Sequence, residues 1–314
     1  MAVMRIVLVT KRTPYEDLLS EFGTHGQASF VLQSRGESIE SYKLQHDAYY
    51  AAVQQVETDL PSDIAHTFVE RSALPHALFR TDDLVIAIGP DGLFANLAKY
   101  LSGQPVVGVN PLPELIDGVL MQHTSAETGL VVKNLVTLST QVDLKTYCQE
   151  VVLAEAKTDD GGRLLAVNDF LVGRLDHVSA RYRITSVAAE QQERQSSSGV
   201  LVSTGLGSSG WLRSLRTAVQ SASVRSDLRQ FPADPEWDEE RLVFAVREPF
   251  MSQSTQADLV YGTVLGDAPL EIVSEMPTGG VVFSDGVPED ALRLPAGTKL
   301  TIGIAPEKAY LISK

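Results

Sequence analysis

Short apolar runs and longer amphipathic stretches alternate along roughly the first 120 residues of the chain. The runs with strand character are Met4–Thr10, Ala28–Leu32, Leu84–Ile88 and Pro105–Val109. The stretches with helical spacing between them are Pro14–Glu21, Glu37–Asp59, Ile64–Phe79 and Leu93–Tyr100. Strands that alternate with helices are typical of βαβ units, so this part of the chain predicts a parallel sheet.

The pattern changes after His123, where short strands separated by turn residues dominate. These predicted strands are Leu164–Val172, Ala180–Ser186, Leu242–Val246, Leu259–Val264, Leu270–Ser274, Gly280–Phe283 and Lys299–Ile304. One helix is predicted over Ser208–Ser221, and polar loops over Ala189–Ser198 and Arg225–Glu240. The sequence therefore predicts an α/β N-terminal domain with a parallel sheet, residues 1–125, followed by a mostly antiparallel β-rich C-terminal domain, residues 126–314.

Composition narrows the class of protein. The 314 residues are 44% hydrophobic, which suits two compact domains, and the longest apolar runs are far shorter than the ~18 residues of a membrane helix. The N-terminus lacks the pattern of a secretory signal, and the single cysteine, Cys148, excludes an intramolecular disulfide. We therefore expect a cytoplasmic protein with no membrane partner. The net charge of -14 argues against a nucleic-acid partner but allows a small anionic ligand held locally.

A first candidate site is the turn Gly89, Pro90, Asp91, Gly92, Leu93, which follows a predicted buried strand and opens a predicted helix. Ligands of open α/β sheets bind at the carboxyl ends of strands, and a helix N-terminus offers free N–H groups to phosphate. The alternative is an ordinary strand–turn–helix corner in which Asp91 caps the helix.

A second candidate is the pair Asn168 and Asp169 at a strand. An amide offers a donor and an acceptor to a base edge, and a carboxylate accepts from ribose hydroxyls. The alternative is a simple Asn-Asp turn.

The third candidate runs from Ser197 to Trp211, where a strand leads into a glycine turn and a helix. Gly205, Gly207 and Gly210 would let a ligand approach the backbone, and Trp211 would offer a stacking face. The alternative is a flexible loop before a capped helix.

In this order, the three segments resemble the GGDGT, Asn-Glu and STPTGSTAY-like motifs of the NAD kinase family. The likeness is closest to the mitochondrial-type NAD kinases and their bacterial relatives, which carry SSG before the strand, a TGxGS turn and a Trp at its end. Further similar stretches cover residues 9–16, 106–110 with Asp117 and Gly118, 244–249 and 283–286, so the resemblance spans nearly the whole chain.

The resemblance implies a kinase that binds NAD between its domains and phosphorylates the adenosine ribose 2′-hydroxyl, with ATP and Mg²⁺ or another phosphoryl donor, to give NADP. A homodimer is expected. Asp91 would orient and deprotonate the hydroxyl. The residues implied for the phosphoryl donor are Gly89, Gly92 and Asn110. Lys11 and Arg12 follow the first strand and could also reach donor phosphates, the alternative being a solvated pair in a loop. Those implied for NAD are Asn168, Asp169, Ser198, Thr204, Ser208, Ser209, Gly210 and Trp211. The six histidines show no zinc-ligand spacing, so no protein metal site is expected.

Three positions depart from the family motifs. Pro90 stands in place of a Gly and Leu93 in place of a Thr, which removes one backbone N–H and one hydroxyl from the phosphate turn. Asp169 is shorter than the family's Glu. Two other classes therefore stay open: a non-catalytic NAD(P)-binding sensor, and a related kinase that acts on a sugar or lipid hydroxyl.

Overall fold

The computed structural model describes residues 2–222 and 231–314, and the chain divides into two compact units. The first unit comprises Met1–Gln149 with Tyr310–Lys314, and the second comprises Glu150–Ala309. None of the helices in the described ranges is long and apolar enough to cross a membrane.

The first unit is a parallel sheet covered by helices. Its strands are β1 (Arg5–Thr10), β2 (Ala65–Glu70), β3 (Asp83–Ile88), β4 (Pro105–Asn110) and β5 (His123–Thr124). Its helices are α1 (Pro14–Phe22), α2 (His25–Ser34), α3 (Ile39–Asp59), α4 (Asp91–Ala98) and α5 (Ser125–Ser139). The strands β2, β1, β3 and β4 pair in that order, all in parallel, and Tyr310 and Leu311 pair in parallel with β4. Every residue of β3 and β4 is buried, as expected for a sheet covered on both faces.

The second unit is a sandwich of antiparallel strands. Its strands are β6 (Cys148–Thr158), β7 (Arg163–Ala166), β8 (Asp169–Arg174), β9 (Ala180–Ser186), β10 (Gln191–Ser197), β11 (Gly199–Ser203), β12 (Arg241–Arg247), β13 (Tyr261–Leu265), β14 (Leu270–Ser274), β15 (Gly280–Ser284), β16 (Val287–Arg293) and β17 (Lys299–Ile312). One layer, the β9 sheet, has the order β10-β9-β14-β17. The other, the β8 sheet, has the order β13-β12-β11-β8-β15-β16.

The core of the second unit lies between these two layers. Tyr182 and Ile272 of the β9 sheet belong to the same buried cluster as Phe170 and Phe244 of the β8 sheet. Helix α6 (Trp211–Ala222) packs Leu212 against the opposite, outer face of the β8 sheet. This architecture confirms the predicted fold class of a parallel α/β part followed by a mostly antiparallel β-rich part.

Two predictions in the first unit were wrong. The residues 28–32, predicted as a strand, lie in helix α2, because Ala28 and Leu32 are buried at a spacing of four while Phe30 is 75% exposed. A strand would have placed all three on one face. The stretch 64–79, predicted as a helix, forms β2 and a 3₁₀ turn over Arg71–His76 that contains Pro75. A proline in that position cannot continue an α-helix, and β1 supplies the pairing partner for the strand.

In the second unit, the predicted loop 189–198 is largely strand β10, which pairs with β9 along its whole length. The inward-facing polar side chains of β10 find a hydrogen-bond partner in buried Tyr182 on β9. The Tyr182 hydroxyl donates to Gln195 and contacts the Ser197 hydroxyl. The predicted strand 164–172 is broken at Val167 and Asn168 into β7 and β8. Of the predicted loop 225–240, residues 231–240 contain no helix or strand, and 225–230 lie outside the described residues.

The two units meet in sequence at Gln149 and Glu150, later than the predicted boundary at residue 125. Helix α5, which was not predicted, accounts for the difference. Its residues Val132 and Leu135 are buried in the core of the first unit together with Val56 and Val107. Helix α5 therefore belongs to the first unit.

Candidate functional site

The turn Gly89–Leu93 connects the carboxyl end of β3 to helix α4. Gly89 donates its N–H to the carbonyl of Val109 on β4 at 3.0 Å, so this residue continues the sheet. A Cβ on Gly89 would lie 3.0 Å from Leu93 Cδ2 and would crowd that buried side chain. Leu93 packs inward and donates its N–H to Pro90 at 2.8 Å. A glycine at position 89 therefore leaves room for the Leu93 side chain, and Leu93 presents no polar side-chain group to a ligand.

Asp91 starts helix α4 and binds the backbone of a neighbouring loop. Its Oδ2 accepts from Val119 N–H at 3.1 Å, and its Oδ1 accepts from the N–H groups of Leu120 at 3.0 Å and Met121 at 3.3 Å. An ionised carboxylate has about four lone-pair sites, so about one remains for a hydroxyl. The half-buried Asp91 is thus positioned rigidly and can still accept one further hydrogen bond.

Asn110, predicted to bind the donor, lies at the end of β4 and is buried. Its Nδ2 donates to the carbonyl of Ile116 at 2.7 Å, and its Oδ1 accepts from Leu112 N–H at 3.0 Å. Both halves of the amide therefore shape the loop that follows β4. Binding of a donor by Asn110 stays a prediction.

Lys11 and Arg12, which follow β1, have different surroundings. Lys11 lies beside the turn Gly89–Leu93, because its Cδ is 3.8 Å from the point where a Gly89 Cβ would be. Burial, together with the charge of Arg71, lowers the pKa of Lys11. Arg12 is exposed and is held on helix α1, where it donates to the Glu16 carbonyl at 3.0 Å and pairs with Asp17. Of the two cations, Lys11 is the one placed next to the turn.

Tyr49 links the end of β1 to the end of β3, a role that could not be predicted from the sequence. Its hydroxyl accepts from Lys11 N–H at 3.0 Å and donates to the Ile88 carbonyl at 3.1 Å. The side chain is buried on helix α3. A single hydroxyl therefore fixes the ends of β1 and β3 relative to each other.

In the second unit, the glycine turn packs directly on the Asn168 backbone. The Asn168 carbonyl accepts from Thr204 N–H at 2.9 Å, and the Thr204 hydroxyl donates to Val167 at 2.6 Å. A Cβ on Gly207 would lie 2.1 Å from the Asn168 carbonyl oxygen, so only glycine fits there. The Asn168-Asp169 motif and the glycine turn are thus packed together, and Thr204 joins them by its hydrogen bonds to Asn168 and Val167. Within the described residues the Asn168 side-chain amide makes no hydrogen bond, which leaves it available to a ligand.

Asp285 organises the same motif from a distance. Its carboxylate accepts from the N–H groups of Val167 at 3.1 Å, Asn168 at 2.6 Å and Asp169 at 3.4 Å. Asp285 itself has a φ of 51°, in the left-handed region. The Asp285-Gly286 dipeptide after a strand was a signal for such a turn, although nothing local identified its partner.

Asp169 and Trp211 line one pocket on the outer face of the β8 sheet. The pocket has a volume of about 230 Å³, and its walls include Leu171, Phe283 and Pro288. Burial raises the pKa of Asp169 to about 7, and the charge of Asp285 adds to this shift. The structure therefore brings two of the residues predicted for NAD into contact with one cavity.

Arg247 extends the polar part of this region. Its guanidinium lies 5.1 Å from the centre of the Trp211 ring, at cation–π distance. Arg247 was not among the predicted site residues, and its sequence position at the end of β12 gave no sign of the contact.

The four remaining residues predicted for NAD, two of which support the glycine turn, are Ser208, Ser209, Gly210 and Ser198. The Ser208 hydroxyl donates to the Gly205 carbonyl at 2.7 Å, and the Ser209 hydroxyl to Leu206 at 3.3 Å, so both serve the turn. Gly210 is exposed beside Trp211. Ser198 is exposed at the opposite end of β11 and does not line the Asp169 pocket.

Comparison with solved structures identifies the architecture. An NAD kinase from Archaeoglobus fulgidus in complex with ATP superposes with a TM-score of 0.58 and 14% identity, covering 99% of this chain and 94% of that one. Yeast NADH kinase complexed with NADH gives a TM-score of 0.58 and 16% identity, covering 100% of this chain and 84% of that one. This chain has the NAD kinase fold. No family model and no curated protein matches it in sequence.

Within this NAD kinase fold, Pro90 and Leu93, the two unusual residues of the turn between β3 and α4, have structural explanations. Pro90 occupies the N-cap of α4, where its extended φ of -79° is compatible with proline and no N–H is needed by the helix. Leu93 is 2% exposed and contributes to the core. Both residues therefore support the turn by packing, while the closer likeness to mitochondrial-type NAD kinases stays a prediction.

Proposed function

We propose that this protein is an NAD kinase-like phosphotransferase that transfers a phosphoryl group from ATP to the adenosine ribose 2′-hydroxyl of NAD or NADH. The observation that carries the proposal is the likeness of essentially the whole chain to two solved NAD(H) kinases. The pocket of Asp169 and Trp211, built by residues matching the family's NAD motifs, supports it independently of that likeness.

The chemistry of this pocket suits a nucleoside. Trp211 offers an indole surface for a base, and Leu171 and Phe283 provide apolar walls. Asp169 in the pocket offers an acceptor to ribose hydroxyls, and the amide of Asn168, its neighbour in the chain, would offer a donor and an acceptor to a base edge. At about 230 Å³ the cavity is smaller than the roughly 300–1,000 Å³ typical of drug-sized ligand sites. It would therefore hold one nucleoside half of the dinucleotide.

In the proposed reaction the ribose 2′-oxygen attacks the γ-phosphorus of ATP, the bond from that phosphorus to the bridging oxygen breaks, and ADP leaves. The hydroxyl proton passes to Asp91, whose fixed carboxylate has about one lone-pair site free. Lys11, beside Gly89, would bind donor phosphate oxygens. These groups supply positioning and charge, which are the main requirements of phosphoryl transfer.

Mg²⁺ would accompany the nucleotide as part of the donor substrate. In residues 2–222 and 231–314, no three His, Cys, Asp or Glu side chains are grouped to hold a metal ion. Such an ion would be bound mainly through donor phosphates and water, as is common for Mg²⁺ in enzymes that use nucleoside triphosphates.

A second candidate function is a non-catalytic NAD(P)-binding protein, favoured by a specific feature of the phosphate turn. Pro90 offers no N–H and Leu93 is buried, so this turn has fewer groups for a donor phosphate than the family motif. The second-unit pocket would bind the nucleotide in either case.

An assay of NADP and NADPH formation separates the two functions. The full chain is incubated with NAD or NADH and with ATP, another nucleoside triphosphate or polyphosphate, and NAD binding is measured in parallel by calorimetry. Product formation with any donor supports the kinase. Binding of NAD without product from any donor would establish the sensor, and absence of NAD binding would overturn both proposals. Asn168→Ala is the matched variant, which we expect to weaken NAD binding by ~1–3 kcal/mol.

A further inference from the structure

A second concave site lies on the outer face of the β9 sheet. It has a volume of about 220 Å³ and is formed by β9, β10 and the segment after β12. Arg181 and Arg194 line it from the strands, and Phe250, Ser254 and Thr255 from the segment. The segment is anchored to the edge strand, since Phe250 N–H donates to Ser196 at 2.8 Å and Gln256 N–H to Arg194 at 2.9 Å. The site is therefore a built cavity on a regular sheet.

Positive charge is concentrated at this site. Arg183 and Arg194 are directly opposed across β9 and β10, and Arg181 is on the same face of the sheet. Like charges directly opposite each other destabilise a sheet. Among the described residues, the carboxylate paired with them is Glu275, at 2.7 Å from Arg194 and 3.7 Å from Arg183. Arg181 and Arg194 line the cavity and Arg183 does not, so with Glu275 the lining carries one net positive charge in a chain whose net charge is -14.

Several hydrogen-bond donors at the site have no partner. Within the described ranges, neither the Arg181 guanidinium nor the hydroxyl of Ser196, its direct cross-strand neighbour, makes a hydrogen bond. Arg194 bonds Glu275 through Nε, which leaves its terminal N–H groups. In the described part of the chain, the Ser254 hydroxyl has one long contact, at 3.4 Å to the Ser252 hydroxyl. These groups form a donor set suited to a tetrahedral oxyanion, because arginine and hydroxyl groups bind phosphate oxygens through charge-assisted bonds.

The site is separate from the Asp169 pocket. The two layers of the sandwich enclose the core of the second unit, with Tyr182 facing it from β9 and Phe170 from β8. The arginines point away from that core on one side, and Asp169 and Leu171 away from it on the other. One ligand cannot occupy both sites of the same chain.

We propose that this cavity binds the phosphate group of a small molecule, either free phosphate or the phosphate of a nucleotide. Arg181, Arg194 and Ser196 would hold the oxyanion, and Glu275, which also lines the cavity, would orient Arg194. Phe250, which is 64% exposed at the rim, would contact the remainder of an organic phosphate. The site does not depend on the proposed kinase function.

Calorimetric titration of the full chain with inorganic phosphate, in buffers of constant ionic strength, tests the proposal. We expect saturable binding that Arg181→Gln weakens about tenfold or more, because a charge-assisted bond is lost. Arg293→Gln is the control, since it removes the same charge from an exposed position on β16 that is outside the cavity, and it should leave the affinity unchanged. Ser196→Ala should weaken binding by a smaller factor.

AMP and adenosine distinguish the sources of the phosphate. An Arg181-dependent affinity for AMP that exceeds the affinity for phosphate would indicate a nucleotide, and the opposite order would indicate the free ion. Absence of saturable phosphate binding, or equal effects of the Arg181 and Arg293 substitutions, would overturn the proposal. Neither outcome depends on whether the protein forms NADP.

Discussion

Tyr49 is the residue whose substitution tests most directly how the ends of β1 and β3, before the turn Gly89–Leu93, are held together. Tyr49→Phe removes only the hydroxyl that links Lys11 N–H to the Ile88 carbonyl. The ring stays in the core, because the side chain is only 4% exposed and phenylalanine has nearly the same shape. The change therefore isolates two hydrogen bonds from the packing around them.

The expected loss of stability follows from these two bonds. Each hydrogen bond contributes a net ~1 kcal/mol, and a buried group left without a partner costs ~1–3 kcal/mol. A total of roughly 2 kcal/mol is therefore a conservative expectation. For a folding unit of this size, 1 kcal/mol corresponds to about 2–4 °C, so we expect the first unit to unfold about 4–8 °C lower.

Scanning calorimetry measures this shift, and Tyr50→Phe provides the matched control. The Tyr50 hydroxyl donates to Glu16 at 2.9 Å on the partly exposed surface of the same helix. Its loss should change stability by less than about 0.5 kcal/mol, as is usual for surface positions. In the NADP assay, Tyr49→Phe should raise KM for the donor while NAD affinity stays unchanged, because the Asp169 pocket is built by the second unit.

Equal melting temperatures for native protein, Tyr49→Phe and Tyr50→Phe would refute the structural part of this reasoning. A lower melting temperature with an unchanged donor KM would leave the structural link intact but show that the linked loops do not bind the donor.

Three further predictions test other parts of the candidate site. Asp91→Asn should lower NADP formation about 100-fold or more and, because its amide NH₂ meets backbone N–H groups, reduce stability by ~1–3 kcal/mol; native turnover would remove Asp91 from the mechanism. The raised pKa of Asp169, about 7, lies above its unfolded value, so this group costs stability as pH rises from about 4 to 7. In Asp169→Asn the melting temperature should therefore depend less on pH over that range. The same pH dependence in the variant and the native protein would contradict the raised pKa of Asp169. Gly207→Ala should lower the melting temperature clearly, because its Cβ would lie 2.1 Å from a carbonyl oxygen, whereas Gly210→Ala, with 3.4 Å to its nearest atom, should not; equal effects would be evidence against the tight turn.

Much of the fold could be predicted because its signals are local. The wholly buried strands β3 and β4 appear in the sequence as the apolar runs Leu84–Ile88 and Pro105–Val109, and α1 begins where Thr13 and Glu16 form a capping box. The glycine turn before α6 was likewise visible as Gly205 and Gly207. In each case the determining residues lie within a few positions of each other.

The predictions that were wrong concern elements whose state depends on a distant partner. The sequence of β10 is polar and is typical of a loop. It forms a strand because β9 pairs with it along its length and Tyr182 hydrogen-bonds its buried side chains. β2 is an edge strand whose only strand partner in the described structure is β1, 60 residues earlier at the pairing of Arg5 with Ala65. The propensities of neighbouring residues contain no information about such distant strand pairings.

The candidate site divides in the same way. The sequence determined which residues could bind a nucleotide, since the chemistry of Asp91, Asn168 and Trp211 is a property of their side chains and of the motifs around them. Only the tertiary structure decided what those residues contact. The Asp285 carboxylate reaches Asn168 across 117 positions, and Asp91 binds amides 28 to 30 residues away. Contacts at such separations exist only once the chain has closed its loops, because they depend on the packing of whole strands and helices.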